Sequence, residues 1–353
     1  MQRFSVFQFH QFESLETIQT TLNGNREQCY SVRDWQEQDH LVSRVREVQN
    51  FSISEHKTLQ IGNRNIQYIF FNGYTERARK CEYFNALDQL INRDDRVNSF
   101  NANILIFECN SMVYGVFYCG IARAKQLVKD IFPSETWGNI TPVEHNLNED
   151  LLYWIFKKYI DIPDEPLSQS AQIYVTSLES YMGKTRDNVN AMRGEGSRIS
   201  TILGTLAFLF NNENLKAVRP QVQYGNESIL VEIGLTGTFK FWENSYRGNL
   251  FRQLRNEEKE NAIVIYIFLE ILPVLVQCYQ ENLIGMEWSP QLKVDFLKRL
   301  GVMIRERVNR ELLRIESENQ QNQGMELEEL EDDLDEENDL DIDDDDDDQE
   351  SIE

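Results

Sequence analysis

The stretch KAVRPQVQYGNESILVEIGLTGTFKFW, residues 216–242, decides how the rest of the chain is read. It holds three runs rich in β-branched and aromatic residues, parted by Gly225-Asn226 and Thr236-Gly237. Such side chains suit a pleated, half-buried surface, and the glycine dipeptides supply the backbone freedom of tight turns. An antiparallel meander is therefore predicted. The period then changes. Residues 257–281 read as a long buried helix around AIVIYIFLEILPVLV, residues 262–276, bent at Pro273. Residues 290–315 read as a second, opened by Ser289-Pro290 as cap and first helical position. Leu292, Phe296, Leu300, Ile304, Val308 and Leu312 fall on one stripe of it at four-residue steps. Strands grouped and helices grouped make the class α+β.

Upstream the chain is mixed. FSVFQF reads as an opening strand and SLETIQTTL as a short helix with Leu15, Ile18 and Leu22 on one side. Hairpins are predicted at Gly62-Asn63 and at Asn110-Ser111, and a strand over AQIYVTSL, residues 171–178. Helical spacing occurs at Tyr83, Phe84, Leu87, Leu90 and Ile91, again in ARAKQLVKDIF, and in NLNEDLLYWIFKKYI behind the capping residue Asn148. Residues 161–170, DIPDEPLSQS, carry two prolines and no apolar period, so a boundary is set there. The expected organisation is an N-terminal α+β subdomain of β-hairpins and short helices over 1–162. A C-terminal α+β subdomain with the meander and two long helices follows over 171–316. A disordered acidic tail ends the chain over 325–353.

The formal charge of −24 is concentrated in that tail, where 19 residues are acidic and none basic. Outside it 40 acidic residues face 35 basic ones, an ordinary balance. The tail repels itself and buries too little to fold. Its Asp339, Asp341, Asp343 and Glu350 mimic a calcium loop, but Asp344 stands where that loop needs glycine. The five cysteines have no metal-like spacing, and four lie in apolar surroundings, which predicts buried free thiols in a reducing cytosol. No secretory leader is read at the N-terminus, and the apolar run at 262–276 is short for a membrane span and broken by Glu270 and Pro273.

Two places carry candidate chemistry. In NAMRGEGSRISTILGTLAFLF, residues 190–210, two glycines precede a helix predicted from about residue 198 with an apolar core face. Arg193, Gly194, Gly196, Ser197, Arg198 and Thr201 would offer donors to an anion at the helix N-terminus. The plainer reading is a tight turn with Ser197 as cap. The dinucleotide fingerprint fails because Ile199 replaces its third glycine, and Gly183-Lys184-Thr185 is no phosphate loop because Leu178 replaces the first. The second place is cationic. Arg77, Arg79 and Lys80 lie beside Tyr74, Tyr83 and Phe84, with Arg123 and Lys125 further on, the residue types of a nucleic-acid groove or of solvated helices over core rings.

His10, His40, His56 and His145 show no ligand spacing, and Glu232 lacks the lysine two residues on that a metal-nuclease strand carries. No catalytic residue, metal or cofactor is assigned. The reading is a cytosolic, prokaryotic, non-enzymatic binding or regulatory protein that engages a protein partner or nucleic acid, with no membrane, its acidic tail modulating access. A divergent metal-dependent nuclease or other hydrolase, and a small anionic-ligand sensor, are the alternatives.

Overall fold

The first strand holds the architecture together in the computed structural model, which describes residues 1–33, 35, 39–196 and 199–338, with side chains as far as 320. β1 (Gln2–Phe9) pairs antiparallel through residues 2–4 with β13 (Phe239–Phe241) and through residues 5–9 with β7 (Met112–Phe117). Between these lie α1 (Leu15–Gly24), β2 (Glu27–Ser31), β3 (His40–Glu47), β4 (Lys57–Ile61), β5 (Arg64–Ala78), α2 (Arg93–Arg96) and β6 (Val97–Cys109). After β7 come α3 (Ile121–Ile131), α4 (Ser134–Trp137), β8 (Ile140–Pro142), α5 (Glu149–Asp161), β9 (Ile173–Lys184), β10 (Ala191–Glu195) and α6 (Leu203–Phe210). β11 (Asn214–Tyr224) and β12 (Glu227–Gly234) precede β13; α7 (Asn256–Tyr266), a π turn (Ile267–Ile271), α8 (Leu272–Ile284) and α9 (Pro290–Asn338) follow it.

All the strands join one 13-stranded antiparallel sheet of order β10-β9-β11-β12-β13-β1-β7-β6-β5-β3-β2, with β4 on β5 and β8 on β1. The predicted meander is β11-β12-β13. Both predicted hairpins form, and Asn110 (φ 53°) and Ser111 (φ 58°) take the left-handed pair that matches hairpin twist. β1 is the seam between an N-terminal and a C-terminal half-sheet.

The two faces differ. One is covered from β9 across to β5 by α5, α6, α7–α8 and the start of α9, whose Leu151–Phe156 run, Leu206, Ile263, Leu275, Phe296 and Leu300 are buried on Phe4, Phe107, Val218 and Phe241. The other is covered only over the N-terminal half, where α1, α3 and α4 bring Leu15, Leu127 and Trp137 onto Phe7, Phe9, Ile104 and Phe117. Central strands of that half are accordingly apolar on both sides: Ile104, Leu105, Ile106 and Phe107 are all fully buried. The C-terminal half keeps an uncovered face.

Several local expectations change. Residues 79–92 form no helix, because the Asn85 side chain accepts from the Leu87 and Gln89 amides and Phe84 bridges Leu90 across a turn at Asp88 (φ 58°). α6 begins at Leu203, later than predicted from about residue 198: residues 199–201 form a 3-10 turn and Ile202 is extended. Its expected core face is also split, with Ile199, Leu206 and Leu209 buried and Ile202, Leu203 and Phe210 exposed. Only Cys109, Cys119 and Cys278 are buried; Cys29 and Cys81 are exposed, and all five thiols are free. On α9 the stripe is covered at Phe296 and Leu300 and bare at Val308 and Leu312. Of the predicted tail, residues 339–353 lie outside the described residues.

The helix through the π turn is unbroken. Pro273 has no N–H to give the carbonyl one turn back, and the wider turn accommodates the missing bond. Residues 256–284 are long and apolar enough to cross a membrane by length and composition, yet 67% of the most apolar stretch is buried within the protein.

Candidate functional site: the open face of the C-terminal half-sheet

Strand alternation assigns this face its residues. Phe239 and Phe241 point into the helical layer, so Lys240 between them points out. Lys240 lies opposite Arg3 of β1 and opposite Glu232 of β12, with which it forms an ion pair. Across the sheet Arg219 of β11 and Glu195 of β10 both register on Ser180 of β9. Arg219 donates to Glu195 at 2.5 Å and stacks over Trp242 at 4.7 Å. That hydrogen bond, with the charge behind it, holds the Glu195 carboxyl below its usual range. Arg193 closes on the same carboxylate at 2.9 Å.

Where α3 stops covering the sheet, the step leaves a hollow of about 540 Å3 lined by Arg3, Arg123, Met182, Lys216, Glu232 and Lys240. A smaller one beside it is bordered by Arg193, Met182, Glu232 and Lys240. The first turn of α3 stands at the rim: Gly120 precedes it, and the Ile121 amide donates to the Thr238 hydroxyl. Below the rim burial pushes the Cys119 thiol up to about 12, with Arg123 and Arg3 pulling the other way. Arg3 and Lys216 form no ion pair or hydrogen bond among the described residues, and Arg123 rests over the Phe100 ring at 4.9 Å. Four cations thus surround the larger hollow against the single carboxylate of Glu232. Cations converging on a concave surface without enough carboxylates to pair them set up a positive potential suited to phosphate or carboxylate oxygens.

The predicted site residues are distributed unevenly here. Of the anion-loop set, Arg193 borders the face; Gly194 lies within β10, where a Cβ would run into the Tyr181 ring; and Gly196 (φ 149°) ends the strand. Thr201 closes a short 3-10 turn, while Ser197 and Arg198 lie outside the described residues. The glycines are therefore at a sheet edge and not at a helix N-terminus. Of the nucleic-acid set, Arg123 lines the larger hollow and Lys125 an adjoining one. Arg77 is held by Asp130 through two bonds of 2.9 Å, and Arg79 donates to the Val97 carbonyl. Lys80 is exposed at the far end of β5. Tyr83 is packed edge-on against Trp35 rather than offered to a base.

Sequence reasoning missed Arg3, Lys216, Arg219 and Lys240. Lys216 and Lys240 stand between apolar neighbours in their strands, which marks them as outward-facing; Arg3 comes beside Lys240 only through the β1–β13 pairing, and the register of β11 shifts around Lys216. Glu232, on which a nuclease reading would rest, is engaged by Lys240. Among the described residues no group of three His, Cys, Asp or Glu is placed to hold a metal. No known protein family matches the chain, and no curated protein matches it in sequence.

Proposed function

We propose that the protein is a cytosolic, non-enzymatic binding protein that takes the phosphate backbone of a nucleic acid on the open face of its C-terminal half-sheet. Its acidic C-terminal segment competes for that face. The observation that carries this reading is the unpaired cluster of Arg3, Lys216 and Arg123 around one hollow in a body whose overall charge is slightly negative. Phosphate oxygens supply the carboxylate-like partners that the fold leaves out, and Trp242 and Met182 give apolar surface on the same side. The five free thiols support a reducing compartment.

Engagement of about three or four phosphates sets a slope of roughly −2 to −4 in log affinity against log salt. The test is fluorescence anisotropy of a labelled single-stranded oligonucleotide between 50 and 200 mM salt. Arg3→Glu with Lys216→Glu is expected to abolish binding at about 50 mM, two sign reversals at the centre of the cluster. Removing residues 325–353 is expected to strengthen binding at low salt and to matter little at high salt, where the intramolecular competitor is screened. Binding that the double variant leaves intact, or a truncated chain that fails to bind at low salt, overturns the proposal.

A further inference from the structure

The charges of the open face lie along a line with a direction. They run across the strands from Arg193 on β10, through Arg219 on β11 and Lys240 on β13, to Arg3 on β1. Arg219 and Glu195 register on the same residue of β9, and Lys240 lies between Glu232 and Arg3. Arg193 and Arg219 are paired with Glu195, and Lys240 with Glu232. Among the described residues, unpaired charge on this line is left at the α3 end, where Arg3 and Lys216 line the larger hollow.

α3 continues that line. At its start the Ile121 amide donates to Thr238 beside β13, and near its far end the Asp130 carboxylate accepts from Thr75 and Arg77 of β5. The helix thus lies across the strands with its N-terminus toward the hollow, which Gly120, Ile121 and Ala122 line. A strand of nucleotides laid along the charges from β10 meets this first turn head-on, and the covered half of the sheet leaves it no way forward. The blocked end is equipped for more charge than a backbone phosphate carries. A phosphodiester inside a chain has a single negative charge, whereas a terminal phosphomonoester has about −1.5 to −2 at neutral pH and three strong acceptor oxygens. Arg3, Arg123 and Lys216 surround the hollow. The Ala122 amide, which has no hydrogen-bond partner among the described residues, adds a donor with the helix dipole behind it. Gly120 brings no side chain to cap that turn, and no acidic residue lies in it.

We propose that the hollow takes the phosphorylated end of a nucleic-acid strand, a terminal phosphomonoester, while the following nucleotides extend away over the open face toward β10. End recognition rests on the reading that this face binds nucleic acid, and adds that the strand is anchored by its terminus instead of anywhere along its length.

The test is anisotropy of one internally labelled single-stranded oligonucleotide in four forms: 5′-phosphorylated, 3′-phosphorylated, hydroxyl at both ends, and closed into a circle. The full chain is expected to bind at least one phosphorylated form about tenfold or more tighter than the hydroxyl form, the gain from a set of charge-assisted contacts. The two phosphorylated forms distinguish a 5′ from a 3′ terminus, and the circle is expected to bind no better than the hydroxyl form. Ala122→Glu places at the exposed start of α3 an acidic residue that suits a helix N-terminus but repels phosphate. It is expected to abolish the preference for a phosphorylated end with the thermal transition retained. Arg123→Gln is expected to lower that preference several-fold, and it carries the test if Ala122→Glu does not fold. Equal affinity for phosphorylated and hydroxyl forms, a circle bound as tightly as a phosphorylated form, or a preference unchanged in a folded variant overturns end recognition and leaves the nucleic-acid reading standing. Failure to bind any of the four forms at about 50 mM salt overturns that reading, and end recognition with it.

Discussion

At the level of single residues, the fold trades local ease for placement, and His145 is the clearest case. In the unfolded chain its imidazole takes up a proton below about 6.5; in the fold it resists until about 4. Because the folded value is the lower one, this group's contribution is fully present above pH 6.5 and is lost as the pH falls toward 4. The loss at the acid end is about 3 kcal/mol on that interval. Urea titrations at pH 7 and pH 4.5 are expected to show a smaller acid destabilisation for His145→Gln than for the native chain, and equal losses would sink the assignment. Gly194 gives a second expectation. Its strand position faces Tyr181 so closely that any Cβ must displace the ring. Gly194→Val is expected to cost about 1–3 kcal/mol, the range of an overpacked contact, read as a lowered melting temperature. The glycine that resembled part of a phosphate cradle is needed for aromatic packing.

At the level of elements, α9 meets α6 where Gly301 lies under Phe210. A helix-interior glycine forgoes about 1 kcal/mol relative to alanine, but a Cβ here would come within 2.8 Å of the Phe210 ring. Gly301→Ala is therefore expected to leave the native chain no more stable, and to stabilise it once Phe210→Ala has cleared the space. A double-mutant cycle measures this coupling, and additivity of the two changes would refute it. Contacts of this kind set the limit of what the sequence discloses. β1, both hairpins, the meander, Asn148 capping α5 and Ser289 capping α9 rest on local patterns or turn chemistry and were legible. The region 79–92 misled because apolar spacing was weighed without the Asn85 side chain, which satisfies the amides a helix would need. α6 was placed early because the apolar spacing continues back to Ile199, whereas residues 199–201 close a 3-10 turn and Ile202 is extended, which the spacing does not reveal. The cationic face was the least legible feature. Arg3 and Lys240 read as isolated charges until the sheet order puts them side by side.

At the level of the whole molecule, one apolar layer runs under both half-sheets while the covering helices on the other side stop halfway. Phe4 is fully buried at this junction, stacked on Phe239 at 5.4 Å and edge-on to Phe241 at 6.0 Å. Phe4→Ala is expected to cost about 3–5 kcal/mol. Amide hydrogen exchange is expected to show that loss in strands on both sides of β1, and a loss confined to one side would contradict the shared layer. The seam also has a history in synthesis. Ser5 pairs with Phe117, whereas Phe4 pairs with Phe239, about twice as far along the chain. Doubling a closing loop adds only about 0.6 kcal/mol of entropy, so the finished protein hardly registers the difference. A chain emerging from a ribosome does. It can complete the N-terminal half-sheet while residues 2–4 still wait for β13, leaving a short raw strand edge of the kind that recruits foreign strands. The growing protein carries an adhesive margin that the mature one has sealed.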